Sequence, residues 1–226
     1  MLNNSKTLET IMVFKVSIFT FAKNYLLVRD AILNTAAEMF LNYGFKSVTM
    51  DDIAEKLGIS KKTIYTHYST KSKLVLATGH HVFENINCGI EKIRAKKQNP
   101  IKENFEIKRF VIHHLKDQKT SPHFQLKKYY PKAFESLRTR QFELLDDCVT
   151  DNIKRGIETG YYRKNMPIDF ISRIHFVGMM GIKDTDVFPI EEYSHSMLMD
   201  YFTEYHLRAI CTPKGIETLE EILNEK

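Results

Sequence analysis

The stretch Met50–Tyr68 constrains this chain most, because it has the pattern of two short helices joined by a glycine turn. Ile53, Ala54 and Leu57 form one apolar face at helical spacing. Gly58 then breaks the pattern and permits a left-handed turn residue. Because two crossing helices touch near Ala54, the side chain there must be small. The spacing predicts a helix, a sharp turn and a second helix.

The second helix begins directly after this turn, with Ser60 as its N-cap. Ile64 and Tyr68 recur four residues apart and form its apolar face. Ile64 is placed to fill the angle between the two helices, as a helix-turn-helix motif requires. The stretch therefore predicts a DNA-binding motif whose second helix enters the major groove.

The charge distribution favours a polyanionic partner, although the net charge of +5 does not by itself require one. A lysine-rich, solvated surface is the ordinary reason for a basic run. Here the lysines lie on and beside the second helix of the motif, so attraction to phosphate is the better explanation. No Asp or Glu occurs between residues 56 and 83, whereas five lysines do: Lys56, Lys61, Lys62, Lys71 and Lys73.

Composition favours an all-α protein and gives no sign of catalysis. The 226 residues include 9 Gly and 6 Pro, too few for an all-β architecture with many tight turns. Cys88, Cys148 and Cys211 are far apart, form no CxxC pair and suit a reducing cytoplasm. No His, Cys or carboxylate spacing predicts a metal site, and no nucleophile motif, phosphate loop or dinucleotide fingerprint is present. We expect a cytoplasmic protein that is not an enzyme and holds no cofactor.

Residues 1–27 have no single interpretation. The apolar stretch Ile11–Leu27 is interrupted by Lys15 and Lys23, which leaves a span shorter than the ~20 residues of a membrane helix. Three interpretations remain open: a start codon assigned too far upstream, an amphipathic helix packed on the body, and a weak membrane anchor. The anchor is the least favoured of the three.

The rest of the chain has nearly continuous helical periodicity and no strand-like run of β-branched residues. A first helix is expected from about Val28 to Asn42, and Gly44 suits a left-handed cap at its end. Thr49 is the expected N-cap of the first motif helix. A long helix should start at Lys71 and reach the 90s. Further helices are expected over residues 101–116, 133–159, 168–182, 190–211 and 216–223.

The region from Val28 to Leu74 resembles the TetR/AcrR family of bacterial transcriptional regulators. The remaining two-thirds of the chain is similar to the family in length and helical character, and weakly in the stretch Gly156–Arg163. Lys62 stands where Gly is frequent and Tyr68 where Phe is common, so base preferences do not carry over. The resemblance rests on Gly44-Phe45, Thr49, Ile53-Ala54, Leu57-Gly58-Ile59-Ser60, Thr63-Ile64-Tyr65, His67-Tyr68 and Lys71–Leu74.

The resemblance implies a DNA-binding head over residues 28–74 and a ligand-binding and dimerisation domain over residues 75–226, with residues 1–27 as an extension. It further implies a homodimer that represses transcription from a palindromic operator on double-stranded DNA. A small-molecule effector in the C-terminal domain would release it. The alternative is a membrane-associated sensor that is anchored by residues 1–27 and carries the same head. The sign of regulation, the operator and the effector stay open.

Residues expected at the DNA lie on the second motif helix and at the starts of flanking helices. Lysine at the start of the reading helix suits guanine edges or phosphate, whereas exposed N–H groups at a helix start attract an anion. Tyr65 also reads as a packing aromatic and His67 as an ordinary exposed residue. The set is Thr49, Ser60, Lys61, Lys62, Thr63, Tyr65, His67 and Lys71.

The regulatory half has weaker signals. Tyr193, Met197, Tyr201 and Tyr205 recur every four residues and form an apolar stripe, which we assign to the dimer interface, with intramolecular core as the alternative. An effector cavity should lie between the mid-chain helices. Most large apolar residues there must be ordinary core, because a helical domain of this size needs them. Candidate lining residues are Phe105, Phe110, Tyr130, Phe134, Phe176, Met179 and Met180.

Overall fold

The described part of the chain is built from ten α-helices, which confirms the all-α class. The computed structural model describes residues 3–115 and 122–225, and only the helical backbone at residues 3–19 and 21. The helices are α1 (Asn3–Tyr43), α2 (Met50–Leu57), α3 (Lys61–His67), α4 (Lys71–Arg94), α5 (Pro100–Leu115), α6 (Pro122–Tyr129), α7 (Pro131–Glu158), α8 (Ile168–Gly181), α9 (His195–Ile210) and α10 (Pro213–Asn224).

Helix α1 begins at Asn3, so the predicted start near Val28 was wrong. Residues 3–43 contain neither Gly nor Pro, and nothing in the sequence interrupts the helix once it has formed. The helix ends as predicted at Gly44, which has a φ of 86° and donates its N–H to the Phe40 carbonyl at 2.9 Å. No helix in the described residues is long and apolar enough to cross a membrane.

The second half of α1, helices α2 and α3, and the first turns of α4 share one core. Ile32, Phe40, Ile64 and Leu74 are each fully buried in it. Because these four side chains come from three helices, the head depends on burial of a few large apolar residues. Helix α4 continues beyond this core as a 24-residue helix, as the sequence predicts.

The predicted boundaries of the late helices need correction at two places. Helix α9 begins at His195 rather than residue 190, because the Ser194 hydroxyl caps it by accepting the N–H of Met197 at 3.2 Å. Helix α10 begins at Pro213 rather than residue 216, because Pro is favoured in the first turn of a helix. The predicted end of the fifth helix at residue 116 lies outside the described residues.

The larger domain has its own core among α5, α7, α9 and α10. Phe105, Tyr162 and Leu207 are almost completely buried there. The Tyr162 hydroxyl donates to Asn152 Oδ1 at 3.0 Å, which satisfies a phenol that would otherwise be buried without a partner.

Two glycines let α4 approach its neighbours closely. The Leu137 side chain of α7 lies against Gly79, and the Phe110 ring of α5 lies against Gly89. A Cβ atom at either position would overlap these side chains. The backbone of α4 therefore forms part of the contact surface itself.

Replacing Gly58 by Ala tests the left-handed cap at the end of α2. Gly58 has a φ of 63°, and no atom lies within 4 Å of the position of an added Cβ. The substitution therefore adds backbone strain without a steric clash. We expect the free energy of unfolding to fall by about 1–2 kcal/mol, measured by chemical denaturation. Gly181→Ala is the matched control, because Gly181 has open space and no positive φ. Equal effects of the two changes would contradict the strain argument.

Candidate DNA-binding head and ligand cavity

Helix α2 is held at its start by a reciprocal cap. The Asp52 N–H donates to Thr49 Oγ1 at 3.2 Å, and the Thr49 N–H donates to Asp52 Oδ2 at 2.8 Å. Hydrogen bonds from the Thr49 backbone and hydroxyl lower the pKa of Asp52. Thr49 is thus a structural cap. A phosphate contact made by Thr49 would come in addition to that role.

Helix α3 presents one side to the core and the other to solvent. Ile64 is 0 % exposed and packs in the core of the head, whereas Tyr65 is 42 % exposed. Lys61 and Lys62 are also exposed at the start of the helix. The Ser60 hydroxyl accepts the N–H of Thr63 at 3.1 Å, so the first turn is capped as predicted. Lys61, Lys62 and Tyr65 are therefore all accessible to solvent.

Lys61 is paired with a carboxylate of the preceding helix. Its Nζ lies 2.7 Å from Asp51 Oδ1 and 2.8 Å from Asp51 Oδ2. The hydrogen bond that Lys61 donates to the Asp51 carboxylate raises the pKa of Lys61, so the side chain stays charged. Because both side chains are more than half exposed, the pair contributes little to stability and phosphate can compete for the lysine.

His67 and Lys71 make contacts that the sequence did not predict. The His67 ring lies against Tyr25 of α1, with centroids 4.1 Å apart, and burial together with nearby Arg29 lowers the pKa of His67. Lys71 Nζ donates to the Lys46 carbonyl at 3.2 Å, and burial lowers the pKa of Lys71. Both side chains pack within the head and are less accessible than Lys62.

A cavity of about 500 Å³ lies among the helices of the larger domain and reaches the core of the head at Phe40 and Phe45. Its lining is mostly apolar, and its size falls within the ~300–1,000 Å³ range typical of small-molecule sites. Phe40 and Phe45, which belong to the core of the head, also line it. One face of the long helix α4 also lines the cavity. Its residues there are Thr78, Gly79, Val82, Phe83, Ile86 and Ile90.

Three of the seven predicted cavity residues line this space: Phe134, Met179 and Met180. Phe105 is buried in the core of the larger domain, and Phe110 covers Gly89. Tyr130 packs on the core of the head, and Phe176 is buried edge-on against Phe142 with ring centroids 5.2 Å apart. These four residues support the walls without lining the cavity.

Helices α8 and α9 expose large apolar side chains. On α8, Phe170, Ile174 and Val177 are each about half exposed or more and recur at helical spacing. On α9, Tyr201 and Tyr205 are 60 % and 72 % exposed. Met197 is partly buried on the same helix. Tyr193 precedes α9, packs edge-on against Phe188 and lines the cavity.

Comparison with known proteins agrees with this geometry. Residues 32–78 match the family described as bacterial regulatory proteins, tetR family. A solved TetR-family regulator from Agrobacterium tumefaciens superposes with a TM-score of 0.66 at 18 % identity, over 83 % of this chain and 100 % of that chain. The chain belongs to the TetR family of transcriptional regulators.

Two named TetR-family relatives match different shares of the chain. The transcriptional repressor KstR2 of Mycobacterium tuberculosis is 24 % identical over 159 residues, which cover 64 % of this chain and 74 % of KstR2. The transcriptional activator FasR of Mycolicibacterium smegmatis is 34 % identical over 64 residues, which cover 28 % of this chain and 29 % of FasR. TetR-family proteins are regulators and not enzymes, in agreement with the expectation from the sequence.

Sequence reasoning missed several residues that shape the two sites of this TetR-family chain. The apolar residues 82, 86 and 90 on α4 recur every four positions, a signal that was available in the sequence. Lys183 in the cavity and the pairing of Asp51 with Lys61 had no sequence signal, because both depend on where separate helices meet.

Replacing Asp51 by Asn tests whether this carboxylate competes with DNA phosphate for Lys61. The change removes one negative charge from the surface beside α3 and leaves the lysine charged. We expect tighter binding to a duplex of random sequence at low salt. The slope of log affinity against log salt should steepen by about 0.9, measured by fluorescence anisotropy. Glu217→Gln, at an exposed position on α10, removes the same charge far from the head. Indistinguishable salt slopes for the two variants would refute the competition.

Proposed function

We propose that this regulator is a cytoplasmic repressor that binds a palindromic operator as a homodimer and is released by a small-molecule effector. The observation that carries the proposal is the orientation of α3, with Ile64 fully buried and Lys62 and Tyr65 exposed. We assign DNA reading to residues 28–74 and effector binding and dimerisation to residues 75–226. Residues 1–27 precede the head, and residues 3–27 form the first part of α1.

Repression is supported by the extent of the match to KstR2. That match covers 64 % of this chain, so it includes part of the regulatory half. The match to the activator FasR covers 28 % of the chain and carries no comparable information about that half. Because the direction of regulation depends on how the regulatory half controls the head, we favour repression.

Dimerisation is supported by the exposed faces of α8 and α9. Ile174 and Val177 on α8 and Tyr201 and Tyr205 on α9 are large apolar side chains that solvent does not stabilise. A second copy of the chain would bury them and bring a second reading helix to the duplex. Two heads joined in this way gain affinity through effective concentration and read half-sites about one helical turn apart.

Effector control is supported by side chains shared between the cavity and the head. Phe40 and Phe45 belong to the core of the head and line the cavity. On α6, Leu126 lines the cavity, while Gln125 Oε1 accepts the N–H of Lys46 at 3.3 Å, in the turn after α1. A molecule that fills the cavity therefore presses on elements that hold the head, and the separation of two heads in a dimer changes.

Replacing Lys62 or Tyr65 by Ala tests the reading helix. Each change removes an exposed side chain from α3 and leaves Ile64 in the core. We expect operator affinity to fall about tenfold or more, since a good base contact contributes roughly 1–3 kcal/mol. The operator is first found by gel shift across genomic fragments, and affinities are then measured by anisotropy.

Lys132→Ala is the control for this test, because Lys132 is exposed on α7 and outside the head. Circular dichroism should show unchanged thermal unfolding for all three variants. Normal operator binding by both head variants would show that the site is assigned wrongly.

Replacing Ile174 and Val177 together by Asp tests the dimer face. The two charges cannot be buried against a second copy without a large desolvation cost. We expect a monomer in analytical ultracentrifugation and an operator affinity lowered about a hundredfold or more. Tyr43→Asp is the control for oligomeric state, because Tyr43 is an exposed aromatic residue of the head and lies outside the α8 face. A double variant that remains a dimer would refute the assignment of α8.

A further inference from the structure

The charged side chains that line the cavity all have the same sign. They are Lys108, Arg138 and Lys183, and none of the described residues that line the cavity is Asp or Glu. Charges that remain beside an apolar space need a partner, because burial of an unpaired charge is costly. A cation that has no carboxylate partner in the protein is therefore the place where a bound anion would be stabilised.

Two of the three cations have a carboxylate partner in the protein. Lys108 Nζ is hydrogen-bonded to Asp200, which lies on α9. Arg138 Nη1 lies 3.8 Å from Glu135 Oε2 on the same helix. Lys183 has no carboxylate partner among the described residues, so it is the cation that an incoming anion would neutralise.

Lys183 lies in the turn that follows α8, where its N–H donates to the Met180 carbonyl at 3.2 Å. Burial lowers the pKa of Lys183 to about 8. The ammonium group is therefore still mostly charged at neutral pH, on a residue that is only partly exposed to solvent. An anion beside it would restore the lost stabilisation.

His123 of α6 also lines the cavity, and the positive charge of Lys183 affects the pKa of His123. Burial and the cations Lys183 and Lys127 lower the pKa of His123 to about 4 against the opposing charge of Asp184, so the imidazole is neutral at pH 7. A neutral imidazole retains one N–H donor. The ring packs edge-on against Phe134, with centroids 5.0 Å apart, which fixes its place in the wall. Lys183 and His123 are therefore two potential hydrogen-bond donors on the lining of the same, mostly apolar cavity.

The rest of the lining suits an apolar body. Phe83 of α4, Val111 of α5, Leu144 of α7 and Met179 of α8 contribute side chains from four helices. Methionine adapts to ligands of different shape because its side chain is flexible and polarisable. A molecule here would bury apolar surface along most of its length and meet charge near Lys183.

We propose that the cavity takes an amphipathic carboxylic acid, with its carboxylate at Lys183 and His123 and its apolar body between α4, α5, α7 and α8. This inference rests on the proposed effector function, and it names the chemical class of the effector. The simpler role for Lys183 is to stabilise the carbonyls at the end of α8. That role predicts no preference among ligands of different charge.

The test compares three probes of equal chain length: dodecanoate, 1-dodecanol and dodecylammonium. Binding to the full chain is measured by isothermal titration calorimetry, below the critical micelle concentrations of the two ionic probes and below the aqueous solubility limit of dodecanol. We expect dodecanoate to bind about tenfold or more tightly than dodecanol, because a hydrogen bond to a charged partner replaces one to water. Dodecylammonium should bind most weakly.

Substitutions at Lys183 assign this preference to one side chain. Lys183→Met removes the charge and keeps an apolar side chain, so it should abolish the preference and leave dodecanol binding unchanged. Lys183→Arg should retain the preference. Lys132→Met makes the same chemical change at an exposed position of α7 outside the cavity, and it should behave like the unaltered protein. Thermal unfolding by circular dichroism checks that each variant is folded.

Equal affinity of the unaltered protein for dodecanoate and dodecanol would overturn the inference, and so would an absence of binding by all three probes. A preference that persists in Lys183→Met would overturn the assignment to Lys183. Operator binding is measured separately by gel shift. Loss of operator binding with an intact carboxylate preference would refute the regulatory proposal, whereas operator binding without the preference would refute only the ligand class.

Discussion

Burial of Ile64 determines the direction of every other side chain on α3. The helix has seven residues, so one fully buried side chain leaves little freedom for rotation about the helix axis. Ala54 on α2 is small enough to let the two helices cross, and Gly58 supplies the turn that sets their angle. With Ile64 in the core, Lys62 and Tyr65 point to solvent. Apolar packing on one side of the helix thus orients the polar surface on the other.

The head could be predicted from the sequence because its determinants are local. Gly58, Ser60 and Ile64 lie within seven positions of one another, and helical spacing places each on a known side. The start of α1 was not predictable in this way, because helix-compatible residues continue upstream of Val28 without a stop signal. The start of α9 was misplaced, because Ser194 as an N-cap is a weaker signal than the apolar residues around it.

A cavity between the mid-chain helices could be predicted from the sequence, but four of the seven predicted lining residues do not line it. Large apolar side chains in the middle of the chain indicate a core or a cavity, and periodicity does not separate the two. Phe110 and Phe176 face neighbouring helices, whereas Phe134 and Met179 face the open space. The distinction depends on how helices far apart in sequence are placed against each other. Lys183 was missed for the same reason, because a lysine in a turn is ordinarily solvated.

Close contact at Gly79 and Gly89 determines how a change in the cavity reaches the head. At both positions the neighbouring helix packs on the backbone of α4, so no side chain of α4 is available to rotate aside. On the proposed mechanism, expansion at these two contacts displaces the backbone of α4 itself. The start of that helix lies beside α3, with Leu74 in the core of the head. On the proposed mechanism, a displacement near the middle of α4 is therefore passed along the helix to its start beside α3.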